Sequence, residues 1–170
     1  MDAGRTEVES AAKAGADLVD VLAQATDATI LECVEAGRNF GAKIAVDLIA
    51  VAEPVARARE LADLGADYLT VHTPIDEQMQ GKLPFETLRR IADAVDVPLA
   101  VAGGINSENA AAAVESGAAV VIVGGAITKA TDAAEATARI RRTLDEGVSL
   151  KSDLFRRTDR SGVRDVFRTV

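Results

Sequence analysis

Gly41-Ala42-Lys43-Ile44-Ala45-Val46-Asp47-Leu48-Ile49 joins a glycine to a short apolar run, and the recurrence of this phrase decides the fold. Gly-Ala, one further residue and an apolar run return at Gly15-Ala16-Asp17-Leu18, Gly65-Ala66-Asp67-Tyr68 and Gly117-Ala118-Ala119-Val120. Successive glycines lie 26, 24 and 52 residues apart, and the last interval is two periods. The skipped unit starts at Val97-Pro98-Leu99, where Asp96-Val97-Pro98 replaces the Gly-Ala turn. A glycine just past a helix takes the left-handed conformation that ends it. The runs after it are short and rich in β-branched residues: Leu18–Ala23, Ile44–Ala50, Tyr68–His72, Leu99–Ala102 and Val120–Val123. Such runs read as strands buried on both faces, hence parallel.

Working outward, the stretches between the strands are helical. Glu53-Pro54 opens one with proline in its first turn, and Val55, Leu61 and Leu64 supply its apolar face. Thr6–Ala14, Asp27–Phe40, Pro84–Ala94, Ser107–Ser116 and Asp132–Glu146 complete the set. Alternating strands and helices imply an α/β protein with a parallel sheet. The even period, and the lack of a G-x-G-x-x-G after the first strand, favour a closed barrel over an open doubly wound sheet. A full (β/α)8 TIM barrel has eight strands, and five are counted here. The expectation is therefore an incomplete barrel holding the last five strand–helix units in residues 1–146, with a fragment or a gene model truncated at its start as its origin. Residues 147–170 carry no barrel phrase and read as a linker or docking segment, with a binding helix as the alternative.

Composition narrows the partners. Net charge is −8, divided into −11 over residues 1–150 and +3 over residues 151–170. An acidic body argues against nucleic-acid binding. A lysine-poor, acidic surface fits either a salty cytoplasm or a high-GC genome. No apolar run approaches the ~20 residues of a membrane span, and no secretory leader is visible. Cys33, the single cysteine, has no disulfide partner within the chain and reads as a small core residue in a reducing cytoplasm.

Reactive groups of such barrels sit at the carboxyl ends of the strands. Two glycine turns occupy that address: Val101-Ala102-Gly103-Gly104-Ile105 and Val123-Gly124-Gly125-Ala126-Ile127. Glycine lets backbone approach a ligand, and its N–H groups beside a helix start suit a phosphate; the plainer reading is a pair of tight turns. His72, the only histidine, ends the third run and is suited to proton transfer, against a structural role. Asp76 and Gln78 follow on its loop, as substrate-positioning groups or as solvated side chains. Asp47 is a carboxylate amid apolar residues, which is costly unless paired. Asp20 and Asp17 are weaker candidates, Asp17 because it lies at a strand's start. No Cys/His cluster, nucleophilic serine elbow or P-loop is present.

With Met1-Asp2-Ala3-Gly4, these motifs together resemble the 3-hexulose-6-phosphate synthase family of the orotidine 5′-phosphate decarboxylase superfamily, over residues 1 to about 146. The related 3-keto-L-gulonate-6-phosphate decarboxylases typically carry Glu, Arg, Thr and Arg where this chain has Asp47, Ile75, Ala102 and Ala126. The resemblance implies a magnesium-dependent aldol reaction of formaldehyde with D-ribulose 5-phosphate, through an enediolate stabilised by Mg²⁺. It implies His72 as proton shuttle and Asp47 and Asp2 as further catalytic residues. Gly103, Gly104, Gly124, Gly125 and Ala126 would form the phosphate site, with Ala102 beside the substrate. Asp2 matches the last residue of the family's Asp-x-Lys-x-x-Asp motif, which reaches the partner subunit's site in a homodimer. The motif's first Asp and its Lys, with the acidic metal ligands, would lie before Met1. The expected partners are a sugar phosphate and a second copy of the chain, in the cytoplasm. Leu150–Arg157 and Val163–Val170 resemble the segment joining such a synthase to a fused ribonuclease-regulator-like domain. Two alternatives stay open: a decarboxylase of the keto-gulonate or orotidine type, and a phosphosugar-binding remnant without turnover.

Overall fold

A computed structural model describes residues 3–151 of the 170-residue chain. Its strands are β1 (Leu18–Leu22), β2 (Lys43–Asp47), β3 (Tyr68–His72), β4 (Leu99–Ala102) and β5 (Ala118–Val121). Its helices are α1 (Ala3–Lys13), α2 (Asp27–Phe40), α3 (Pro54–Asp63), α4 (Ile75–Met79), α5 (Phe85–Ala92), α6 (Ala110–Glu115), α7 (Gly125–Thr128) and α8 (Ala133–Glu146). The strands form one sheet in the order β1-β2-β3-β4-β5, with every neighbouring pair parallel. That order never reverses direction, as it would at the switch point of a doubly wound sheet, so it is the succession of a barrel wall.

The phrase glycines do what their position requires. Gly15, Gly41, Gly65 and Gly117 all take positive φ, and the Gly41 N–H closes α2 on the Gly37 carbonyl at 2.8 Å. Each strand then buries alternate residues under the helices. Val19, Val21, Ile44, Val46, Leu69, Val71, Leu99 and Val101 join one core with Val34, Leu61, Leu88 and Ile91. Burying each such side chain contributes about 1.5–3 kcal/mol. Side chains alternate along a strand, so Asp20, Asp47, Thr70, His72 and Ala102 share the opposite face. Leu18 and Leu22 on the β1 edge are exposed there. Cys33 is fully buried in α2, where burial pushes its thiol pKa up.

Several boundaries differ from the sequence reading, for local reasons. β2 stops at Asp47 because that carboxylate accepts the Ile49 N–H at 2.8 Å and turns the chain. Ala50, placed at the end of that strand by its apolar run, instead has a φ of 56°. α6 starts at Ala110 because Asn106 and Asn109 divert the backbone first: Asn109 Oδ1 accepts the Asn106 N–H and Asn106 Oδ1 accepts the Glu108 N–H. β5 begins two residues early, at Ala118, with a register shift against Leu99/Ala100. The loop expected after His72 contains the short helix α4, and the second glycine turn leads into the short helix α7. Of the segment 147–170, the part up to Lys151 is tied down. Leu150 N–H donates to the Ser107 carbonyl at 2.9 Å and Ser149 Oγ to the Glu108 carbonyl at 2.8 Å. The remainder, with residues 152–157 of the Leu150–Arg157 resemblance and all of Val163–Val170, lies outside the described residues, as does Asp2. Among the described residues no helix is long and apolar enough to cross a membrane.

Candidate active site

The carboxyl ends of β2 and β3 open onto a cavity of about 450 Å³. Its walls include Leu48, Ala50 and Val51 after β2, His72 to Pro74 at the end of β3, and Lys82 to Pro84 before α5. Ala50, the only non-glycine residue at positive φ among the described residues, is part of that wall. A cavity of this size accommodates a small metabolite.

His72 ends β3 and Asp47 ends β2, one strand over. Their side chains meet: His72 Nδ1 lies 2.9 Å from Asp47 Oδ2. Asp47 is 8% exposed, so its burial would be costly without this partner and the Ile49 N–H on its other oxygen. Asp20, one strand further out on β1, faces the same group. Partial burial raises its carboxyl pKa, the Asp47 charge raises it further, and His72 pulls it back. Asp20 nevertheless remains exposed on the edge strand. The three side chains share one face of β1–β3 with the buried Thr70.

The two glycine turns follow β4 and β5. Gly103 has φ 94°, and a Cβ there would sit 2.5 Å from the Thr73 carbonyl oxygen and 3.0 Å from Gln78 Nε2. Packing against the β3 exit therefore requires glycine at this position. Gln78 Nε2 donates to that same Thr73 carbonyl at 2.7 Å, which ties α4 to the turn. Leu83 and Gln78 lie beside Gly104, so the turn borders the cavity wall. Gly124 differs: its φ is −105° and a Cβ would meet nothing within 4 Å. At Gly125 a Cβ would meet only the end of the Lys129 side chain, 3.8–3.9 Å away. No hydrogen bond among the described residues engages the N–H of Gly104, Gly124, Gly125 or Ala126. Lys13, Lys43 and Lys82 each pair with a carboxylate, whereas Lys129 has none among the described residues. Free N–H donors, room above them and an unneutralised ammonium group suit a phosphoryl group.

Not every candidate joins the site. Asp76 is exposed in the first turn of α4 and lines no part of the cavity. Gln78 uses its amide N–H inside the protein. Asp17 lies before β1, at the opposite end of the sheet. Ala102 and Ala126 are buried, at 5% and 6% exposure, and present only small side chains to their surroundings. Among the described residues no group of three or more His, Cys, Asp or Glu side chains is placed to hold a metal ion. Residues 3–151 thus do not fit the expected Mg²⁺ by themselves. Lys129 escaped the sequence reading because nothing in the string brings it back over Gly125; the turn of α7 does.

Residues 1–140 match the model of the orotidine 5′-phosphate decarboxylase / HUMPS family, and the chain belongs to that family. Within it the similarity runs to 3-hexulose-6-phosphate synthases. Synthase 2 of Staphylococcus saprophyticus is 41% identical over 146 residues, which cover 85% of this chain and 68% of the relative. The synthase of Bacillus subtilis is 40% identical over 148 residues, covering 86% and 70%. The crystal structure of 3-hexulose-6-phosphate synthase from Salmonella typhimurium superposes with a TM-score of 0.81 at 38% identity, covering 86% of this chain and 70% of that one. The 3-keto-L-gulonate-6-phosphate decarboxylase of Vibrio cholerae, at 24% identity and a TM-score of 0.73, shares the fold.

Proposed function

We propose that the chain is an aldolase-type lyase interconverting formaldehyde plus D-ribulose 5-phosphate and D-arabino-hex-3-ulose 6-phosphate. The observation that carries this reading is family membership with synthase homologues over most of the chain. The site's chemistry supports it. Backbone N–H groups of Gly104, Gly124, Gly125 and Ala126 hold the phosphoryl oxygens, and Lys129 adds positive charge. The sugar's carbon chain then runs toward β3, where His72 takes a proton from C1. The resulting enediolate carbon adds to formaldehyde, and the same proton goes to the new hydroxyl oxygen. Proton balance is closed within one turnover, so a single imidazole suffices. Ile75 and Ala126 stand where the decarboxylases typically carry arginine, so neither position supplies the cationic side chain that a second anionic substituent would call for.

The Mg²⁺ requirement, a homodimer with Asp2 at the partner's site, and a cytoplasmic setting belong to this proposal. The cation would need ligands other than those in residues 3–151. The test is to supply D-ribulose 5-phosphate and formaldehyde with Mg²⁺ and follow formaldehyde consumption and hexulose phosphate. Loss of formaldehyde that stops on chelation supports the proposal. CO₂ release from 3-keto-L-gulonate 6-phosphate without formaldehyde consumption would establish the decarboxylase instead. Sugar-phosphate binding with no turnover of either substrate would establish the binding remnant.

A further inference from the structure

The Asp47–His72 contact says more than that two polar residues meet. A carboxylate only accepts hydrogen bonds, and neutral imidazole carries one N–H. At 2.9 Å from Asp47 Oδ2, the His72 Nδ1 must be the protonated nitrogen. Nε2 is then the bare nitrogen, and His72 forms part of the cavity wall. Asp47 is itself held: Oδ1 accepts the Ile49 N–H at 2.8 Å, and its carbonyl accepts the Ala23 N–H at 2.9 Å. Both carboxylate oxygens carry a bond inside the protein, at 8% exposure. That is the arrangement of a group that orients another, rather than of one that waits for a ligand.

We propose that Asp47 is a positioning residue that fixes His72 as its Nδ1–H tautomer, so that Nε2 is the atom exchanging protons with the substrate. This rests on the reading of His72 as the proton carrier, and it goes beyond that reading by assigning the atom and the residue that sets it. In the synthetic direction Nε2 takes the proton released as the C1–H bond breaks. The electron pair forms the new C–C bond to formaldehyde, and Nε2–H returns the proton to the oxygen formed. Nδ1–H stays on Asp47 throughout. Aspartate suits the role because its short arm reaches Nδ1 and the Ile49 N–H together; one more methylene would displace the carboxylate from one of them. The charged groups around His72 are Asp47 on β2, Asp20 on β1, Glu77 on α4, Lys82 before α5 and Glu86 on α5.

His72 is the only histidine in the chain, so imidazole ¹⁵N labelling reports on one ring without assignment. At about pH 9, well above the ordinary imidazole range, the wild-type protein should show a protonated Nδ1 and an unprotonated Nε2. In Asp47→Asn the amide carbonyl stays on the Ile49 N–H and the NH₂ faces Nδ1, so the proton moves to Nε2. The kcat of that variant should fall about 10²–10⁴-fold, with KM changed by less than about threefold, as expected when only the transition state loses an interaction. Asp47→Glu should restore neither. A wild-type ring protonated at Nε2 would overturn the proposal, whatever the variants do. So would an Asp47→Asn enzyme that loses activity with its tautomer unchanged, since Asp47 would then act on the substrate directly. Failure of the underlying reading looks different: His72→Gln would turn over normally while the wild-type tautomer remained Nδ1–H, which removes the proposal's kinetic half.

Discussion

The turns Gly103-Gly104 and Gly124-Gly125 look alike in the sequence and differ in the structure. The first is glycine because the protein leaves no room: Gly103 sits at φ 94°, and a Cβ would be 2.5 Å from the Thr73 carbonyl oxygen. The second has room to spare. Gly124 has an ordinary negative φ, nothing lies within 4 Å of its missing Cβ, and only the tip of Lys129 approaches Gly125. A glycine kept by internal packing carries little information about ligands. A glycine with no internal reason for being one points outward, to whatever must come close. Of the pair, the β5 turn is therefore the better witness to a phosphoryl site.

Four variants test this contrast, and the largest effect belongs to the first turn. Gly103→Ala combines a left-handed alanine with a backbone clash and should lower stability by about 2–5 kcal/mol, read as a shift in the urea midpoint. If it unfolds no more easily than wild type, the packing explanation is wrong. Gly124→Ala paired with Gly125→Ala should leave stability within about 0.5 kcal/mol. Affinity for D-ribulose 5-phosphate should fall roughly tenfold or more, as expected when charge-assisted N–H bonds are obstructed; calorimetry measures it. Unchanged affinity would remove the second turn from the site. Gln78→Ala cuts the tie between α4 and the Thr73 carbonyl and should cost about 0.5–1.5 kcal/mol of stability. Its effect on thermal unfolding should exceed its effect on sugar-phosphate affinity. Lys129→Met is the mildest: a weakening of about two- to fivefold that fades as salt is raised, because an exposed charge is screened. An equal loss at low and high salt would mean that Lys129 is not acting through its charge.

The sequence disclosed the scaffold well because its signals were local and repeated. A helix-ending glycine, a short β-branched run and a Pro-initiated helix each act within a few residues, and the alternation follows from them. Where the reading slipped, a side chain bonded to nearby backbone in a way that hydropathy does not register. Asp47 ended β2 early through the Ile49 N–H, and Asn106 with Asn109 delayed α6. The site was legible as addresses, since His72 and Asp47 were both found at strand ends. Their contact was not, because it depends on the offset between two strands twenty-five residues apart. Lys129 was invisible for a related reason: it reaches Gly125 only because α7 makes a single turn. Asp76 drew notice by lying close to His72 in the chain, a proximity that the geometry of α4 does not keep.

Cys33 offers an experimental handle of a different kind. It is the chain's lone thiol, it is fully enclosed, and its sulfur lies where a Cβ on Gly4 of α1 would come within 2.8 Å. An alkylating reagent can reach that sulfur only when α1 lifts away from α2. The labelling rate in native buffer thus becomes a stopwatch for the opening of this one helix pair, read by mass without any engineered probe.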